Sequence, residues 1–169
     1  DNSFEQYVYD DHSLVGVRDR AGRWTRHKHN ALRQRVATTD PELRTTQFDW
    51  CRCGSLRRLI DGAGSATEWI RDVQGRVTAK RYADNSEITF AYDFAGWLAT
   101  ETNARDQTKT FRYFKDGKLK ALEYEDSGTP DVSYTYDATY GRVSTRVDGP
   151  GTTSYVYHPN DGSTLGAGQ

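Results

Sequence analysis

The chain has 169 residues, a formal net charge of −1 and 28% charged residues. Near-neutrality, with acids interleaved among bases, argues against a nucleic-acid partner, which needs a basic face for phosphates. Eleven Tyr, four Trp and six Phe argue against disorder, while a mean hydropathy of −0.89 leaves little aliphatic material for a thick core.

Taken in chain order, the first strand signal is Tyr7-x-Tyr9, followed at once by Asp10. The residues before it, Asp1-Asn2-Ser3-Phe4, lack the basic and apolar regions of a signal peptide. They read as a cut through a longer protein. The next stretch holds Arg18, Arg20, Arg23, Arg26, Lys28, Arg33 and Arg35, a local run of bases that reads as a solvated face. His27-x-His29 sits inside it. Alternation weakens from 29 to 39, and Ala31 to Val36 is the one place where a short turn of helix is expected. Phe48-x-Trp50 restores the pattern, then Trp69-x-Arg71, Phe90-x-Tyr92, Phe111-x-Tyr113, Tyr134-x-Tyr136 and Tyr155-x-Tyr157. The chain closes on Leu165-Gly166-Ala167-Gly168-Gln169, which also reads as a cut.

The second members of these pairs mark a period. Trp50, Arg71, Tyr92 and Tyr113 stand 21 residues apart, Tyr136 follows after 23 and Tyr157 after 21. Two extra residues around Ser127-Gly128-Thr129-Pro130 account for the longer interval. Asp10, Asp72, Asp93 and Asp137 follow their anchors directly. Gly75-Arg76-Val77, Gly96-Trp97-Leu98, Gly117-Lys118-Leu119 and Gly141-Arg142-Val143 then recur in phase. Asp19, Asp40, Asp61 and Asn103 lie eight residues before the first member of their pairs.

A fixed period of this length signals a repeat architecture. Residues i and i+2 share a strand face, so each aromatic pair lies on one side of a strand. Asp-x-x-Gly is turn chemistry, with Asp bonding its own downstream backbone and Gly accepting positive φ. Each unit of about 21 residues therefore predicts two strands and two turns. The fold class expected is all-β: tandem β-hairpin repeats in a continuous, twisted or spiralling sheet. The rings are expected to form cross-strand ladders, worth roughly 0.2–1 kcal/mol per pair.

Gly75-Arg76-Val77-Thr78 through Tyr92-Asp93, and Tyr136-Asp137 through Gly141-Arg142-Val143-Ser144, resemble the YD repeats of the Rhs family. Trp50-Cys51-Arg52-Cys53-Gly54-Ser55-Leu56 also resembles a segment of bacterial members. The resemblance extends over nearly all of 1–169, about seven repeats with 28–46 less regular, as a fragment of a larger protein. It implies a β-spiral coiling into a hollow shell. In bacterial polymorphic toxins and insecticidal toxin complexes such a shell encloses a separate C-terminal toxin. In teneurins a similar barrel serves adhesion. The self-cleaving core of the family, with its Asp-Pro-x-Gly signature, has no counterpart in this sequence, so no catalytic residue carries over.

The function expected is a structural scaffold: a stretch of shell enclosing or presenting a toxin or effector domain, not an enzyme. Its partners would be the rest of an Rhs-type parent or the enclosed domain. Open sheet edges also predict self-association. The location implied is secreted or cell-surface, as part of a larger bacterial protein. The alternative is an adhesion or carbohydrate-binding module using one aromatic face; exposure of Tyr92, Tyr113 and Tyr136 separates the two. No cofactor is expected, and no window approaches the ~18 apolar residues of a membrane-spanning helix.

Four further constellations read as structural. His27, His29, Cys51 and Cys53 are the one set with metal-ligand chemistry, but Cys51 falls one residue out of phase and the His pair replaces rings in the ladder. Cys51 as a nucleophile has no oriented base. Two Cys do not make a disulfide framework, and a bridge between them would close a strained, tiny ring. Glu123, Glu125 and Asp126 form a solvated cluster beside the insertion. Gly62-Ala63-Gly64 lacks the Lys-Ser/Thr of a phosphate loop.

Overall fold

A computed structural model describes residues 4–126 and 128–157. The opening Asp1-Asn2-Ser3, Ser127 of the insertion and the closing Leu165–Gln169 lie outside the described residues. The fold is all-β. Among the described residues the regular elements are β1 (Gln6–Asp10), β2 (Ser13–Arg18), β3 (Trp24–His29), β4 (Arg35–Thr39), β5 (Thr45–Trp50), β6 (Leu56–Ile60), β7 (Ala66–Arg71), β8 (Val77–Arg81), β9 (Glu87–Tyr92), β10 (Leu98–Thr102), β11 (Thr108–Tyr113), β12 (Leu119–Tyr124), β13 (Val132–Tyr136), β14 (Val143–Asp148) and β15 (Gly151–Ser154). The chain divides into two compact units, Asp1–Ile88 and Thr89–Gln169. In the first, β1 to β8 pair antiparallel in chain order. In the second, β9 to β15 do the same.

The turns explain why these residues form these elements. At Asp19–Arg23, Asn30–Gln34, Asp40–Arg44, Cys51–Ser55, Asp61–Ser65, Asp72–Arg76 and Asp93–Trp97, one backbone pattern repeats. The first N–H donates to the fifth carbonyl, and the fourth N–H donates to the first carbonyl. The fourth residue takes positive φ, as in Gly22, Gly64, Gly75 and Gly96, and also in Arg33 and Leu43. The first side chain completes the motif. Asp61 Oδ1 accepts from the N–H groups of Ala63 and Ser65, both at 2.9 Å. Asp72 Oδ1 takes Gln74 and Arg76, Asp93 Oδ1 takes Ala95 and Trp97, and Asn30 Oδ1 takes Leu32 and Gln34. These turn starts advance by 11 and 10 residues alternately (19, 30, 40, 51, 61, 72), which is the 21-residue period in its parts. Where the first residue is aromatic, as in Tyr82–Ser86 and Phe114–Lys118, an Asp two places on accepts the fifth N–H instead.

The helix expected at 31–36 does not form. Asn30 at the head of the segment ties down Leu32 and Gln34, and β4 begins at Arg35. This side-chain capture of the backbone outcompetes a single helical turn. Turns on one edge also approach closely. A Cβ on Gly62 would stand 2.7 Å from Cβ of Arg44, one turn back along that edge.

Within each unit the sheet is one layer thick. Only Gly16 and Ala79 are buried among the described residues. One face carries the aromatic pairs: Ile88, Phe90 and Tyr92 are half-buried while Thr89 and Ala91 are exposed. The opposite face is polar, with Asp49 opposite Arg58 and Arg58 opposite Glu68.

The aromatic ladder takes a different form from the one expected. Each period contains two strands, so equivalent rings stand about 9.6 Å apart across the sheet, two strand spacings. That is beyond ring contact. An aliphatic or polar residue of the intervening strand fills the gap: Leu59 opposite Phe48, Leu122 opposite Phe111, Thr38 opposite His27 and Arg146 opposite Tyr134. Ring contacts come instead from turn residues, Trp97 with Tyr113 at 5.2 Å and Phe114 with Tyr136 at 6.0 Å.

Candidate functional site: the repeat latch

Each hairpin opening on an odd-numbered strand carries a bulge at the start of its even-numbered partner. The register skips between Trp50↔Leu56 and Asp49↔Arg58, leaving Arg57 unopposed. It skips likewise past Val36, Thr78, Lys120 and Ser144. A bulge bends its strand and interrupts the ladder. On its other side the even strand therefore begins pairing two residues late. β6 joins β7 from Arg58↔Glu68, β10 joins β11 from Thr100↔Thr110, and β12 joins β13 from Ala121↔Ser133. The carbonyls of Leu56, Leu98 and Leu119 lie beyond those ladders.

The second member of the next aromatic pair supplies the missing donor. Trp50 Nε1 donates to the Arg35 carbonyl at 2.8 Å, and Arg71 Nη2 to that of Leu56 at 3.4 Å. Tyr113 Oη donates to Leu98 at 2.9 Å, Tyr136 Oη to Leu119 at 2.8 Å and Tyr157 Oη to Val143 at 2.8 Å. Burial raises the Tyr113 and Tyr136 phenols above their usual pKa, chiefly by desolvation, so both remain protonated donors at neutral pH. At these five anchors the position is thus a latch between consecutive repeats. Sequence reasoning found the residues and missed the role: a shared hydrogen-bonding tip on otherwise unlike side chains (Trp, Arg, Tyr) was the available signal. Tyr92, Tyr113 and Tyr136 are half-buried in the sheet face.

The remaining predicted positions fall as follows. Tyr7 and Tyr9 lie on β1 and are 53% and 63% exposed, with no earlier strand beside them in the described residues. Phe48, Trp69, Phe90, Phe111 and Tyr134 occupy the first ring position on their strands. Tyr155 follows β15, its N–H bonded to the Ser144 carbonyl at 2.9 Å. Gly75, Gly96, Gly117 and Gly141 all take positive φ. Glu123 pairs with Arg112 at 2.9 Å and Asp126 accepts from Gly128 N–H at 3.0 Å.

His27 and His29 share the face of Phe48 and Trp50. His27 Nδ1 lies 3.1 Å from Thr38 Oγ1, and the buried Nδ1 of His29 has no hydrogen-bond partner. No group of three or more His, Cys, Asp or Glu among the described residues is placed to hold a metal. Desolvation, then Arg35, then His29 lower the His27 pKa below the usual 6.5. A His kept neutral by the fold binds fewer protons than its unfolded form. Its stability contribution is present above about pH 6.5 and is lost as pH falls through the lowered folded value. His27→Phe is expected to flatten the loss of thermal stability between about pH 7 and 5, read by circular dichroism melts; an unchanged slope would contradict it.

The structure corrects the expectation for the cysteines. Cys51 and Cys53 are bridged, with Cα atoms 5.1 Å apart. That separation lies within the ordinary disulfide range, because the turn folds the two Cα atoms toward each other.

Comparison with known proteins agrees with this geometry. The RHS Repeat family matches residues 71–109. That segment carries an RHS repeat. Double-stranded DNA deaminase toxin A of Burkholderia cenocepacia (strain H111) is 27% identical over 164 residues, covering 72% of this chain and 11% of that protein. Among solved structures, the crystal structure of TcdB2-TccC3-TEV matches with a TM-score of 0.73 at 16% identity, covering 90% of this chain and 10% of its counterpart. The Photorhabdus luminescens Tc holotoxin pore matches with a TM-score of 0.66 at 15% identity, over 92% and 9%. The chain therefore spans about a tenth of the length of those relatives. The likeness to the two structures is one of fold.

Proposed function

We propose that residues 1–169 are one run of RHS repeats forming a stretch of wall in a longer Rhs-type protein, and that this wall encloses or presents a separate toxin or effector domain. The observation carrying this reading is the latch. At Trp50, Arg71, Tyr113, Tyr136 and Tyr157 one donor ties a hairpin to the one before it, a device that can repeat without a second layer. Such nearest-neighbour stability suits a large curved surface. The relatives support the reading, since one is named a toxin and another a Tc holotoxin pore. The anchors act here as structural positions, and the parent protein is secreted or displayed at a cell surface. The exposed rings of β1 mark an edge that another strand covers in the parent.

The test uses the parent protein purified whole. Limited proteolysis is expected to leave its C-terminal domain protected until the repeat region is unfolded. A C-terminal domain digested at the same rate inside the native parent as when expressed alone would overturn the proposal.

A further inference from the structure

We infer that Cys51–Cys53 is a thiol–disulfide exchange site for a small anionic thiol, with Cys53 the sulfur attacked and Cys51 the sulfur released. The inference rests on what Cys51 replaces. It opens the turn Cys51–Ser55, whose backbone hydrogen bonds are those of the Asp turns. Its Sγ accepts from Cys53 N–H at 3.2 Å and from Ser55 N–H at 3.3 Å. Those are the two donors that Asp61 and Asp72 receive on a carboxylate oxygen in their own turns. The turn is therefore built to hold an anion at the Cys51 position. Two aimed N–H donors stabilise a thiolate over a thiol, and a stabilised thiolate is the better leaving group. Cys53 sits at the exposed tip without that support.

The surroundings select the incoming thiol. A cleft of about 480 Å³ is lined by both cysteines together with Arg57, Arg58, Arg71 and Glu68. Arg57 pairs with Asp49, Arg58 lies 3.3 Å from Glu68, and Arg71 donates to the Leu56 and Gly75 carbonyls. Three guanidinium groups stand against two carboxylates, Glu68 in the lining and Asp49 on Arg57, and the buried Nε of Arg71 has no hydrogen-bond partner. An excess of cationic groups favours both an anionic attacker and the departing thiolate.

The step balances as follows. An external thiolate attacks Cys53 Sγ, and the Cys51–Cys53 bond breaks. The electron pair leaves on Cys51 Sγ, forming a mixed disulfide on Cys53. A second thiolate attacks the external sulfur of that mixed disulfide and releases Cys53 as a thiolate, which takes a proton from water. Two electrons have passed to the protein, and two external thiols have become one disulfide.

Glutathione is the probe, added to the full chain, with acid trapping and peptide mapping. The first adduct is expected on Cys53 over Cys51 by at least tenfold. An adduct mainly on Cys51, or none where a linear Cys-x-Cys peptide reacts, would overturn the assignment. In Cys53→Ser the remaining Cys51 thiol is expected to alkylate with iodoacetamide at least tenfold faster at pH 7 than the Cys53 thiol of Cys51→Ser; equal rates would overturn it. At low salt, glutathione is expected to outpace neutral 2-mercaptoethanol several-fold per thiolate, and no preference would overturn the choice of an anionic thiol. Cys51→Asp separates this role from a plain staple. It is expected to fold with wild-type circular dichroism, because Asp is the repeat's own residue there. Unfolding of that variant would show that the sulfur does not stand in for a carboxylate and would overturn the proposal.

Discussion

Trp50→Ala is expected to destabilise the first unit by about 2–3 kcal/mol, below the range for a fully buried Trp. The residue acts twice. It stands opposite Leu56 of β6 as a half-buried ring, and its Nε1–H satisfies the Arg35 carbonyl that the β4 bulge strands outside the ladder. Trp50→Phe keeps most of the ring and loses the donor, so a loss of about 1 kcal/mol is expected, the worth of one hydrogen bond. Urea denaturation of the three proteins separates the contributions. Equal stability of Trp50→Phe and wild type would mean that the latch contributes nothing beyond packing.

Acid is expected to melt the repeats from their turns. The Asp137 carboxyl is held below the usual range first by the Tyr140 N–H, Asp19 first by the Arg23 N–H, Asp84 first by Ser86 and Asp116 first by Lys118. At Asp40 and Asp72 burial pushes upward most strongly, yet the bonds from Arg44 and Arg76 together outweigh it and both are lowered. Each is a carboxyl with a depressed folded pKa. The stability it contributes is complete above the unfolded value near 3.9 and is lost as pH falls through the folded one. The turn carboxyls should cost no stability down to about pH 5, where only the His27 slope operates, and thermal melts should drop steeply below pH 4. Asn30 and Asn103 already make the same turn without a titrating group. Asp72→Asn and Asp137→Asn together are therefore expected to fold and to show a shallower acid transition than wild type. An acid transition of unchanged steepness would place the titration elsewhere.

The period, the strands and the turn residues were legible in the sequence because each rests on local chemistry. Tyr-x-Tyr-Asp specifies a face and an exit, and Asp-x-x-Gly specifies a turn. Three features were not legible. The bulges at Val36, Arg57, Thr78, Lys120 and Ser144 fall on unlike residues, since any side chain can occupy the unopposed position. The latch then depends on those bulges, so Tyr113 and Tyr136 read as packing rings until the stranded carbonyls are located. The bridge at Cys51–Cys53 was obscured by its spacing, because nothing in a Cys-x-Cys run shows that a turn with Asp geometry brings the two Cα atoms to 5.1 Å. The ring ladder failed for a geometric reason: a period of two strands separates equivalent rings by twice the strand spacing.

Stability passes from one two-strand unit to the next through an alternating pattern of odd and even strands. Deleting Thr45–Ser65 removes one such unit and joins Arg44 to Ala66, the residue in the same phase as Thr45. Deleting Thr45–Ser55 joins Arg44 to Leu56 and puts an even strand where an odd one belongs. Equilibrium urea unfolding of the two deletions beside the full chain is the direct measurement. A cooperative β-sheet transition near wild type is expected for the longer deletion and a collapse of folded structure for the shorter. Equal stability of the two deletions, or greater stability of the shorter, would contradict it.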